Sequence, residues 1–112
     1  MKTIMEIKIF ELARLINQLK SGEALCFAEY GETAGDGTAW HTAQRARIPG
    51  ISSREGILIY YCTASTQRAL MSIVDITAEE LAQYMNDNSA LGDEYNESSK
   101  LFIEAYIGTQ IN

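Results

Sequence analysis

Residues 56–64 read GILIYYCTA, the longest apolar run in the chain. At nine residues it is far short of the roughly 20 needed to cross a bilayer as a helix. Ile57, Ile59, Tyr60 and Tyr61 are the β-branched and aromatic residues that favour a pleated, half-buried surface. The run is therefore expected to be a strand over 57–62, and a sheet must be built around it. Downstream, Ala64-Ser65-Thr66-Gln67 suits a hairpin connection to a partner strand over 69–74. Upstream, Ala24 to Tyr30 reads as a further, mostly buried strand. Residues 38–48 carry two periodicities at once. Thr38, Trp40, Thr42 and Gln44 alternate with Ala39, His41, Ala43 and Arg45 as in an edge strand, yet AWHTAQRAR is also acceptable helix.

The flanks read as helices. Thr3 and Glu6 have the spacing of a capping box, and Met5, Ile9, Leu12, Ile16 and Leu19 form one stripe that ends at Ser21-Gly22. The start of this helix is ambiguous, because MEIKI also alternates like a strand and the helix is acceptable from Ile9 onward. A second helix is signalled by Thr77 with Glu80, a capping box, and by Ile76 and Leu81 at the two positions of a hydrophobic staple. It is expected to reach Met85 and to break at Asn86-Asp87-Asn88-Ser89. A last helix is expected over 98–107, with Leu101, Phe102, Ala105 and Tyr106 on one face. The expected fold is a single α+β domain over 1–112, an antiparallel sheet of three to four strands flanked by helices, in the order α-β-β-β-β-α-α.

Two cysteines, Cys26 and Cys62, are too few for a disulfide framework, and no signal-peptide pattern opens the chain, so a cytoplasmic protein with reduced thiols is expected. Residues 31–50, GETAGDGTAWHTAQRARIPG, hold the only Trp, His and Pro and four of the eight glycines. Gly35-Asp36-Gly37 is a turn signal, and it lacks the following Lys of a phosphate-binding loop. Trp40 and His41 are neighbours, which on a strand would face opposite sides of the sheet. A thiolate–imidazole pair of His41 with either cysteine requires a proximity that the sequence does not establish. One His and two distant Cys do not make a zinc site. No catalytic residue, metal or cofactor is assigned. Trp40, His41, Arg45 and Arg47 stand as secondary candidates, for an enzyme site around the 31–37 loop that binds an anionic substrate. Arg54 and Arg68 could join Arg45 and Arg47 in a small basic patch.

Charge is distributed unevenly. Residues 1–74 hold seven acids and eight bases, whereas residues 75–112 hold eight acids and only Lys100, within a net charge of −6. A face with this field repels nucleic acid, whose phosphates must be met by Lys and Arg, and attracts a basic protein. Glu79, Glu80, Tyr84, Asp87, Asp93, Glu94, Tyr95 and Glu97 are the expected partner-binding residues, the acids steering and the tyrosines anchoring. Adjacent acids such as Glu79-Glu80 also have a local cause, since they favour the positive end of a helix dipole. The sequence thus points to a small acidic inhibitor of a basic, nucleic-acid-acting protein, of the toxin-immunity or anti-defence type. The alternatives are a small enzyme and a homo-oligomeric structural or regulatory protein. A homodimer is compatible with any of these, and no membrane association is expected.

Overall fold

The computed structural model describes residues 4–29, 40–48, 50, 55–61, 70–89, 94–104 and 108–109. In chain order the elements are β1 (Ile4–Lys8), α1 (Ile9–Asn17), β2 (Glu23–Glu29), β3 (Trp40–Arg47), β4 (Glu55–Tyr61), β5 (Leu70–Ser72), α2 (Ala78–Asn88), β6 (Lys100–Glu104) and β7 (Gly108–Thr109). The domain is α+β. Six strands form one antiparallel path, β1-β6-β2-β3-β4-β5, and β7 pairs with β2 beyond β6. The sheet is therefore wider than three to four strands, and the order begins β-α and ends α-β-β. No helix among the described residues is long and apolar enough to cross a membrane.

Both helices lie on one face of the sheet. Strand alternation sends Leu25 and Phe27, Ala43, Ile57 and Ile59, and Leu101 and Ile103 to that face, where they pack with Ile9, Leu12, Ile16, Leu81 and Met85. The ambiguous segment 38–48 contains a strand because Ala43 and His41 fall opposite Leu25 and Phe27. A helix there would have broken that pairing.

The first helix starts at Ile9, and MEIK belongs to β1. Glu6 sits in that strand, so it closes no helical turn. The donors of the first turn are met from elsewhere: Ile9 N–H donates to the Ser99 carbonyl at 2.9 Å and Phe10 N–H to that of Glu97 at 3.0 Å. Glu11 accepts from the Lys8 N–H at 3.2 Å. At the other end α1 stops at Asn17, earlier than Ser21-Gly22 suggested; Gly22, with φ of 82°, instead belongs to the turn into β2 that Glu23 N–H closes on Lys20 O at 2.9 Å.

The helix expected over 98–107 is instead β6, inserted between β1 and β2. Leu101 and Ile103 point to the helical face and Phe102 to the other, so alternation overrides the helical spacing once the strand has neighbours on both sides. Ala105 and Tyr106 lie outside the described residues, as do the 64–67 connection and Gly35-Asp36-Gly37. The second helix starts at the Thr77 box, with Thr77 N–H to Glu80 Oε1 at 2.8 Å and Glu80 N–H to Thr77 Oγ1 at 3.0 Å. It continues past Met85 to Asn88. Asn and Asp disfavour helices by competing for backbone groups, and here the side chains of Asn86 and Asp87 are engaged away from the backbone of α2. Asn86 exchanges two bonds with the Tyr95 backbone, and Asp87 accepts from Gln83 at 2.9 Å. Asn17 does the same for the other helix, bonding both backbone groups of Ile76 at 2.8 Å and so fixing the end of α1 beside the start of α2.

At Gly56 the β5 backbone approaches closely, and a Cβ there would lie 1.9 Å from the Ser72 carbonyl oxygen. Gly56→Ala is expected to cost about 3 kcal/mol or more by prising β5 from β4, at the top of the overpacking range because the clash is with backbone. Gly50→Ala, at φ of 84° with open space around it, should cost about 1 kcal/mol through strain alone. Urea titration of both variants checks the order, and equal costs would mean that β5 can shift freely.

Candidate functional site

Alternation along β2 places Glu29 on the same face as Leu25 and Phe27, and it is 0% exposed. A buried carboxylate must be hydrogen-bonded. Its Oε1 accepts from the Ser89 hydroxyl, just past α2, and from the Tyr95 hydroxyl at 2.8 Å. Alongside, His41 is also 0% exposed, stacked on Phe27 with ring centroids 5.2 Å apart. Its Nδ1 shares a 2.6 Å hydrogen bond with the Tyr84 hydroxyl, and Tyr84 meets the imidazole edge-on. Burial pushes the imidazole down to about 4, opposed only in part by the negative charge of Glu29, so it is neutral at pH 7. This cluster ties β2, β3, α2 and the 94–99 segment together.

Several expected site residues thus have internal work. Tyr84 is 3% exposed and belongs to the core, so it is not presented to a docking partner. Tyr95 is half-buried and bonds Glu29. Tyr95→Phe should therefore lower stability by about 1.5–3 kcal/mol, the usual worth of a hydrogen bond to a charge. A chemical denaturation curve superimposable on the parent's would show that Glu29 does not depend on this hydroxyl. Arg45 caps the end of α1, donating to the Leu19 and Asn17 carbonyls at 3.0 and 2.9 Å, and pairs with Asp75 at 2.8 Å. It is withdrawn from any basic patch. Arg47 is exposed, while Arg54 and Arg68 lie outside the described residues. Cys26 faces the opposite side of the sheet from His41, against Thr42 at 3.7 Å, so those two do not form a dyad. Cys62 lies outside the described residues. Among the described residues no three His, Cys, Asp or Glu side chains converge as metal ligands would.

The exposed side of α2 and the segment after it are acidic. Glu79, Glu80 and Asp87 on α2 and Glu94 and Glu97 after it are all exposed, whereas Asp93 lies outside the described residues. Beside them, Leu70, Glu80, Gln83, Tyr84, Asp87 and Asn88 line a groove of about 170 Å³ between α2 and β5. No family model, curated protein or solved structure matches this chain.

Glu29, Ser89 and their link to His41 were not singled out in the sequence. The signal for Glu29 was present, because strand period two puts it in line with Leu25 and Phe27. Ser89 and Tyr95 lie 60 and 66 residues away from it, and no local pattern joins them.

Proposed function

We propose that this chain is a small binding inhibitor of a basic, nucleic-acid-acting protein, in the manner of an immunity or anti-defence protein. One observation carries the reading: five exposed acids run along α2 and the segment after it, and among the described residues none of the five forms an ion pair. An unneutralised acidic surface attracts a cationic partner over a distance and leaves complementary groups to meet at contact. The enzyme alternative is weaker, because His41 is sealed from solvent and committed to Tyr84.

The test is capture from a lysate at low and high salt, followed by an activity assay of what is retained. A nuclease or other basic nucleic-acid-acting protein should elute as salt rises, and adding the purified chain in equimolar amount should inhibit it. Retention of no basic protein, or full activity of the retained protein in the chain's presence, would overturn the reading.

A further inference from the structure

We propose that the groove between α2 and the outer edge of β5 receives an extended segment of the partner with arginines at alternate positions, Arg-x-Arg. The proposal rests on the binding reading above and specifies its contact. Strand β5 ends the sheet path, and among the described residues no strand pairs with its outer edge. Exposed sheet edges are usually kept very short or guarded by charge, proline or a bulge, and β5, three residues long, has only the first of these. Here the edge and the residues that follow it read Leu70-Met71-Ser72-Ile73-Val74, and Met71, Ile73 and Val74 are 52%, 47% and 57% exposed. An uncharged, open edge is a template for one more strand.

Side chains of an added strand that point toward the helices enter the groove. Glu80, Gln83, Tyr84, Asp87 and Asn88 are spaced as one stripe of α2, and Leu70 forms the facing wall. The apolar surface suits the stems of long side chains, and the carboxylates suit cationic heads. Glu80 and Asp87 are seven residues apart, about 10.5 Å along the helix axis, too far for one guanidinium to bridge. Same-face side chains of a strand recur about every 6.6–6.8 Å, so two arginines two residues apart can diverge and reach one carboxylate each. Arginine suits these positions better than lysine, because its planar fork presents several donors in a geometry that matches a carboxylate. The residue between them points to the other sheet face, toward Met71, and should be apolar.

Two capped hexapeptides of equal composition test this, Thr-Arg-Val-Arg-Val-Thr and Thr-Arg-Val-Val-Arg-Thr. By fluorescence anisotropy in about 0.1 M salt, the alternating peptide should bind at least about fivefold tighter. Glu80→Gln with Asp87→Asn should weaken it about tenfold, whereas Glu79→Gln with Glu94→Gln, which removes the same charge outside the groove, should change it less than about twofold. Glutamine at position 80 keeps the capping box, so the first double variant retains its helix start. Equal binding of the two peptides, or equal loss in the two double variants, overturns the groove proposal and leaves the general acidic-surface reading standing. Selective binding of the alternating peptide supports the groove even if lysate capture yields no basic partner, in which case the proposed function falls alone.

Discussion

Association with a basic partner is expected to slow by about tenfold to a thousandfold at low salt when Glu79, Asp87, Glu94 and Glu97 are all replaced by Lys. Each reversal adds two units of charge, so four of them carry the net charge from −6 to +2. All four positions are exposed, and among the described residues none is in an ion pair, so the fold loses little. The identifiable costs are the Gln83–Asp87 hydrogen bond and the favourable placing of Glu79 in the first turn of α2, the latter worth about 0.3–1 kcal/mol. Glu80 is left in place because it closes the capping box. In the parent, the association rate should fall steeply with added salt, since the screening length shrinks to about 10 Å at 0.1 M. In the fourfold variant that dependence should flatten or invert. Each single reversal should do much less, because steering comes from the summed field. Stopped-flow association across a salt series, with circular dichroism to confirm the fold, makes the comparison. A folded fourfold variant that associates at the parental rate would reduce the charge asymmetry to a matter of solubility.

The parts of this fold that were legible in the sequence are those fixed by neighbours in the chain. Thr77 and Glu80 announced the start of α2 because a capping box is complete within four residues, and β4 was plain from its β-branched and aromatic content. Segments whose state depends on distant partners were not. Residues 100–104 carry apolar side chains that fit either period, and only their insertion between β1 and β2 selects the strand. Thr3 and Glu6 imitate a helix start, yet the first turn of α1 takes its acceptors from Glu97 and Ser99, far along the chain. The same division runs through the candidate site. Exposure of the acids followed from composition, while the inward turn of Tyr84 and the use of Arg45 as a helix cap depended on where α2 and β3 dock.

Acidification is expected to weaken the fold through His41. The folded imidazole has its pKa lowered from 6.5 to about 4 because it is buried between Phe27 and Tyr84. The unfolded chain therefore takes up the proton more readily across that interval. This contribution to stability is complete above pH 6.5, is lost progressively as pH falls from 6.5 toward 4, and changes no further below 4. At pH 4.5 the loss amounts to about 2.5 kcal/mol, a large share of the 5–15 kcal/mol that holds a typical domain together. The carboxylates also titrate in the lower part of this range, so the parent must be compared with a variant that lacks only the imidazole. His41→Gln keeps a polar group within reach of the Tyr84 hydroxyl and carries no titrating proton. Urea titrations at pH 7 and pH 4.5 should show the parent losing about 2.5 kcal/mol more than the variant. Glu29 makes the comparison sharper. Its negative charge is the influence that raises the His41 pKa, so Glu29→Gln should push that pKa lower still, as followed by the imidazole proton shifts in NMR. An imidazole that titrates near 6.5 in the folded parent, with equal acid losses in parent and His41→Gln, would mean that water reaches the ring and that the cluster under α2 is open to solvent.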